Sequence, residues 1–203
     1  MVDSCKYVLS YFPIDGRGYV ARCLLALSGA EWKNEFPKWP QQKSEFPFHR
    51  LPVLTETDEN GSKFVLSESH AIERYLATKY GRVPSTGPKD VAICDMYIDQ
   101  INDSIQDWGN SIADLENETL KEKLLKGIDF LLTMHEEILS SHNGTFYFGN
   151  KILLPDISML LLYNLTKKFD RHQGFDKSKF PKIMNLIHAV ATDERITAVQ
   201  IDE

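Results

Sequence analysis

The chain has 203 residues, 42% of them apolar and 26% charged. That is the makeup of a globular protein, one large domain or two small ones, able to bury a core without staples. A formal charge of −6 with no basic block argues against a nucleic-acid-binding surface. Cys5, Cys23 and Cys94 are odd in number and widely spaced, with no C-x-x-C pair, so they read as buried reduced thiols rather than a disulfide framework or a metal site.

The start, MVDSCKYVLSYF, lacks the cationic segment and long apolar core of a signal peptide. The longest apolar run, ISMLLLYNL at 157–165, is too short to cross a bilayer. These features place the protein in the cytoplasm, without a membrane partner.

In chain order, KYVLSYF (6–12) predicts a buried strand, apolar and aromatic and stopped by Pro13. Val20, Cys23, Leu24 and Leu27 then recur at helical spacing, and Gly29 ends that helix. EWKNEF is a short strand, and KWPQQKSEFPFHR holds too many prolines for more than a turn or two of helix. PVLTET and KFVLSE are strands joined by DENG, a hairpin turn in which Asn-Gly accepts positive φ. A helix follows over about 69–80, so the first 80 residues read β-α-β-α-β-β-α.

GRVPSTGP, residues 81–88, has the composition of a linker. Beyond it the pattern is helical throughout. Val91, Cys94, Ile98, Ile101, Ile105, Trp108 and Ile112 mark one long amphipathic helix, and Leu120 to Ile138 a second, joined by a short connection that predicts an antiparallel pair. PDISMLLLYNLTKKF is apolar nearly all round and predicts a central buried helix. FPKIMNLIHAVA adds another, with Pro181 in its first turn. A small α/β domain, a linker and an all-α domain result, and ligands of such pairs favour a cleft.

Three segments of the α/β half carry chemistry. Tyr11 stands where strand gives way to loop, as sheet filling or as a hydrogen-bond donor over a binding site. Leu51-Pro52 precedes a strand; a cis bond there turns the backbone and offers the Leu51 N–H and C=O to an extended, peptide-like ligand. Ser69 opens a helix, either as a plain N-cap or, with the first free N–H groups, as a carboxylate site.

Together with KWPQQK, RLP, ESHAI, CDMYIDQINDSI and GNKILLPDI, these segments resemble the glutathione S-transferases, most closely their tyrosine-type, sigma-like branch. The resemblance covers about residues 5–200 and is strongest over 5–80. It implies a thioredoxin-like α/β glutathione domain at 1–80 without a redox cysteine pair, a linker at 81–88 and an all-helical domain at 89–203 that forms the electrophile side. It gives the catalytic role to Tyr11, the glycyl carboxylate to Trp39 and Lys43, and the cis-proline loop to Leu51 and Pro52 with Arg50 assisting at a carboxylate. The γ-glutamyl end falls to Glu68 and Ser69. Asp99 reaches the glutathione of the other subunit of a homodimer. Phe12, Met96, Tyr97 and Trp108 line the electrophile pocket by family position, although Trp108 fits a core role equally well.

No metal or cofactor is implied; glutathione is a co-substrate. The implied activity is conjugation of the glutathione thiolate to small hydrophobic electrophiles, as in detoxification. Peroxide reduction and prostaglandin isomerisation are side activities of such proteins, and no residue here selects them. The alternative is a binding or structural protein on the same fold with little or no catalysis.

A free thiol has a pKa of about 8.5, so little thiolate exists at neutral pH. A hydroxyl aimed at sulfur favours the anion through a charge-assisted hydrogen bond. Ser10, a rival, should face the opposite side of the strand from Tyr11, and Cys5 lies before the strand end. Several positions depart from the sigma-like pattern. Asp15 stands where arginine is usual, which opposes thiolate formation, with Arg17 as the compensating group. Tyr19 replaces glutamate, Glu68 replaces glutamine, and His49-Arg50 stand where glycine and glutamine or lysine are commoner. Leu153 replaces the serine or threonine that caps the buried helix, beside Asp156, its acidic residue.

Asp95, Asp99, Asp103 and Asp107 lie four apart, a stripe that reads as a solvated face or an inter-subunit contact rather than a metal site. The histidines, 49, 70, 135, 142, 172 and 188, show no zinc-helix spacing, and His135 reads as a satisfied core residue.

Overall fold

A computed structural model describes residues 5–168, 174–199 and 201. Phe169, which ends one predicted helix, and His172 lie outside the described residues. The chain forms two compact units, one running to Arg82 and taking in 194–203, the other spanning Val83–Asp193.

The first unit is a four-stranded sheet with helices, of thioredoxin-like type. Its strands are β1 (Lys6–Ser10), β2 (Glu31–Glu35), β3 (Val53–Thr57) and β4 (Lys63–Ser67), in the order β2-β1-β3-β4. β1 pairs parallel to β2 and antiparallel to β3, and β3 runs antiparallel to β4. Tyr11 extends the β1 pairing by donating its N–H to Glu35 O at 3.1 Å. In the β3–β4 turn only Gly61 takes positive φ (80°), while the Asp58 carboxylate accepts the Asn60 and Ser62 N–H groups.

Helix α1 (Tyr19–Ser28) is buried almost all round and ends where Gly29 turns left-handed (φ 72°). Helix α2 (Ser69–Lys79) turns Ile72, Leu76 and Ala77 inward. The predicted helix between β2 and β3 is two short 3-10 turns, Lys43–Glu45 and Pro47–His49, because prolines interrupt any longer ladder. The short C-terminal helix α7 (Glu194–Thr197) packs on α1 with Ile196 buried. A boundary drawn from composition alone puts this segment with the helical half; a buried isoleucine docked on α1 puts it with the sheet.

The second unit holds α3 (Pro88–Ala113), α4 (Glu118–Ser140), α5 (Leu154–Lys168) and α6 (Pro181–Ala191). α5 sits at its centre and packs on α3 and α6, with Ile157 to Leu162 all buried. Asn117 caps α4 by accepting the Leu120 N–H. At the start of α5 the missing Ser or Thr cap is replaced from inside the helix. Asp156 accepts the Leu153 N–H at 2.7 Å and the Tyr147 N–H at 3.1 Å. Burial pushes its carboxyl up to about 7, against the pull of these two donors.

His135 is a core residue. It is 0% exposed and holds Tyr147 Oη at 2.5 Å and Gln100 Oε1 at 2.8 Å with its two ring nitrogens. Gln100 Oε1 accepts, so Nε2 carries the proton and Nδ1 accepts from the tyrosine. Burial lowers its pKa to about 4.

Candidate active site

A cleft of about 510 Å³ opens in the first unit, a size suited to a small-molecule ligand. It gathers Phe12, Trp39, Lys43, Arg50, Leu51, Pro52, Glu68 and Ser69 from sequence segments far apart. Arg17, His49, Ser67 and His70 also line it. Three cations and two imidazoles thus meet one carboxylate, so the cleft attracts anions although the chain is net negative.

The aromatic wall is continuous. The Phe12 and Trp39 rings meet edge to face at 5.7 Å, Phe46 lies 6.5 Å from Trp39, and the Lys43 ammonium sits 5.9 Å from the Trp39 ring. Both Trp39-Pro40 and Leu51-Pro52 are cis. Leu51 lies just ahead of the β3 ladder, which begins at Val53.

At the far wall Ser69 is the first helical residue rather than the N-cap. The cap position is Glu68, whose side chain makes no capping bond and whose backbone holds φ 72°, ψ 119°. Side chains rarely adopt this conformation, which costs about 1–3 kcal/mol. Ser69 is buried. Ser67, 9% exposed, has no partner for its hydroxyl among the described residues. His70 Nδ1 lies 3.0 Å from the carboxylate of Glu73. Burial raises the Glu73 pKa, while His70, Arg17 and Arg74 pull it down.

Tyr11 is 7% exposed and lies beside this cleft rather than among its lining residues. Its hydroxyl accepts the Arg17 backbone N–H at 3.0 Å. The loop lies directly on its ring: a Cβ on Gly18 would fall 2.5 Å from Tyr11 Cδ1, and one on Gly16 2.8 Å from the hydroxyl oxygen. The DGRG spelling is therefore a close-approach requirement. Burial pushes the Tyr11 pKa up; the Arg17 N–H and the charges of Arg17 and Arg22 pull it down.

Arg22 was not legible as a functional residue. It is 0% exposed and donates to Asn34 Oδ1, Ile14 O and Phe12 O at 2.9, 2.7 and 2.9 Å. Its guanidinium also lies 5.7 Å from the Tyr11 ring centroid. One charge inside a helix that is otherwise apolar was the available signal. Asp15 is buried, and its charge acts on Arg22. The negative field expected of Asp15 is therefore matched by an arginine. Tyr19 is fully buried at the start of α1.

The rival sulfur-activating groups are engaged elsewhere. Ser10 Oγ donates to Glu35 Oε2 at 2.6 Å, and Cys5 lies at the other end of β1, 3.8 Å from Lys79 Nζ.

Asp99, Met96, Tyr97 and Trp108 lie on α3, in the second unit. Met96 is 58% exposed and Asp99 is exposed. The Tyr97 ring packs on His135, Tyr147 and Phe148 at 5.2–6.0 Å. Asp107 of the aspartate stripe pairs with Lys123 at 2.7 Å.

A sheet of this order, flanked by helices, defines a thioredoxin-like unit, and its cleft is lined with cations. Residues 7–78 match the glutathione S-transferase N-terminal domain model, and residues 102–199 match the C-terminal domain model. The chain is 37% identical over 166 residues to glutathione S-transferase P 1 of Xenopus laevis, covering 76% of this chain and 74% of that one. It is 39% identical over 161 residues to probable glutathione S-transferase 7 of Caenorhabditis elegans, covering 74% and 75%. The solved sigma class glutathione S-transferase of Fasciola hepatica superposes with a TM-score of 0.81 at 25% identity, covering 97% of this chain and 95% of that one. The chain belongs to the glutathione S-transferase family. It is a glutathione transferase, with glutathione as a substrate and not a resident cofactor.

Proposed function

We propose that Tyr11 activates the glutathione thiol and that the cleft holds the tripeptide. One observation carries the assignment: the Arg17 N–H occupies a lone pair of the Tyr11 hydroxyl at 3.0 Å. The phenolic proton stays free to point at sulfur. Burial keeps that proton on oxygen near neutral pH, so Tyr11 acts as donor and not as base. The thiol loses its proton to solvent, and the thiolate sulfur forms the new bond to the electrophile's carbon as a leaving group departs with its electron pair or, in an addition, as a π-bond opens and the resulting anion takes a proton from solvent.

Within the cleft, Trp39 and Lys43 take the glycyl carboxylate, with Arg50 beside them. Leu51, presented by Pro52, pairs with the peptide backbone. Ser69, at the start of α2, takes the γ-glutamyl carboxylate with Arg17, and Glu68 takes the ammonium. The electrophiles are small and hydrophobic, with Phe12, Met96, Tyr97 and Trp108 as their contacts. The active form is a cytoplasmic homodimer in which Asp99 serves the partner's glutathione. No described helix is long and apolar enough to cross a membrane.

The test is a pH titration of the thiolate absorbance of bound glutathione, in wild type and in Tyr11→Phe. The expected result is a thiol pKa below the ordinary value of about 8.5 in wild type and restored in the variant. An unshifted thiol in both proteins, with glutathione bound, would remove Tyr11 from the chemistry and favour the binding-protein alternative.

A further inference from the structure

Arg22 stands on α1 with none of its surface open to solvent. A buried charge is costly unless hydrogen bonds meet it. Here each guanidinium nitrogen has an acceptor: Nη1 donates to Ile14 O at 2.7 Å, Nη2 to Phe12 O at 2.9 Å and Nε to Asn34 Oδ1 at 2.9 Å. The first two acceptors are carbonyls of the residues on either side of Pro13, in the loop that leaves Tyr11. Pro13 has no N–H with which to tie that loop back. Asn34 precedes Glu35 on β2, and the Glu35 carbonyl accepts the Tyr11 N–H at 3.1 Å. One planar fork therefore joins α1, β2 and the loop around Tyr11. The guanidinium carbon is 5.7 Å from the centroid of the Tyr11 ring.

We propose that Arg22 is a positioning residue for the transfer reaction: it fixes the loop that aims the Tyr11 hydroxyl and sets a positive charge beside the ring. A cation there makes the phenol a stronger donor and the thiolate it faces more stable. Asp15, 6% exposed in the same loop, bears on Arg22 with the opposite charge and weakens the effect. Three other charged or titratable groups surround this pair. Arg17 adds its charge to that of Arg22 at Tyr11, Cys23 follows Arg22 on α1, and Glu35 on β2 accepts from Ser10 Oγ at 2.6 Å. The assignment rests on Tyr11 as the group that activates the thiol, and it gives Asp15 a tuning role that acts through Arg22.

Thiolate absorbance of bound glutathione, kcat and KM across pH, and thermal melting test this in wild type, Arg22→Lys, Asp15→Asn and Tyr11→Phe. Arg22→Lys keeps the charge but loses the fork. Its kcat should fall about tenfold through a misaimed hydroxyl, while KM for glutathione holds, because Arg22 does not line the cleft. Asp15→Asn is nearly isosteric and leaves the fork in place. It should lower the pKa of the bound thiol by roughly half a unit and carry the pH profile of kcat/KM down with it. Added to Tyr11→Phe it should do neither, since its effect runs through Tyr11. An unshifted thiol in Asp15→Asn would overturn the proposal, and so would the same shift in the double variant. Wild-type kcat in Arg22→Lys, or a loss in KM alone, would do so too. If Arg22→Lys does not fold, the Asp15→Asn comparison decides by itself. If Tyr11→Phe leaves the thiol pKa at its wild-type value, the reading of Tyr11 falls and this assignment falls with it.

Discussion

The start of α5 and the cleft of the first unit both depend on buried polar groups, but they use them in opposite ways. At α5, Asp156 gives one oxygen to Leu153 and the other to Tyr147, and His135 ties Tyr147 to Gln100. Demand and supply of hydrogen bonds close within the protein. In the cleft, the Ser67 hydroxyl has no partner among the described residues, and His49 and Glu68 hold backbone conformations that side chains disfavour. The first arrangement is built for stability. The second leaves hydrogen-bonding capacity open and carries backbone strain beside it.

The sharpest way to break this contrast is Tyr11→Phe. It should lower kcat/KM by roughly 10²-fold, the scale for losing one aimed donor at a developing anion. The unfolding free energy should change by no more than about 1 kcal/mol. Steady-state kinetics and urea unfolding on the same preparations read both. A variant as active as wild type would break the assignment.

Asp156→Ala should behave in the reverse manner. It strands two buried N–H groups and should cost about 2–4 kcal/mol of stability, while the thiol pKa of bound glutathione in the folded protein stays at the wild-type value. Denaturant midpoints check the first half and thiolate absorbance the second.

His135 sharpens the same side. Its folded pKa of about 4 lies below its ordinary 6.5, so the unfolded chain takes the proton first. Stability from this group is complete above pH 6.5 and is lost as pH falls toward 4. Relative to His135→Gln, wild type should lose on the order of 3 kcal/mol across that window. The difference between the two proteins isolates the histidine, since both share Asp156. Parallel stability–pH curves would mean that His135 is not buried neutral.

The smallest effect belongs to Ser67→Ala. Free protein should be unchanged or stabilised by up to about 1 kcal/mol, because an unpartnered hydroxyl is removed. Glutathione should bind a few-fold more weakly. Loss of stability without loss of affinity would show that Ser67 serves the fold and not the cleft.

Much of this was legible along the chain. Alternation and turn chemistry place β1, the β3–β4 hairpin and the Gly29 stop within a residue or two. Helical spacing places α3, α4 and α6. Eight of the residues that the family resemblance singles out line one cleft, Phe12 among them although the resemblance gave it to the electrophile pocket. Arg22 did not, because a charge becomes buried only when other segments bring carbonyl acceptors to it, here those of Phe12 and Ile14. Ser69 reads as a cap because Ser is a good cap; the structure gives that position to Glu68 and starts the helix one residue later.

By itself the sequence determined the two-part organisation, the period of each element and the residue types that chemistry at a thiol requires. These are local matters, set by φ/ψ preference and the alternation of side chains. Only the tertiary structure decided which groups share an electric field. It set Asp15 against Arg22, hung the Arg17 N–H on the Tyr11 hydroxyl and forced His49 left-handed at the rim of the cleft. Each of these depends on distances between segments far apart in the chain, which packing alone fixes.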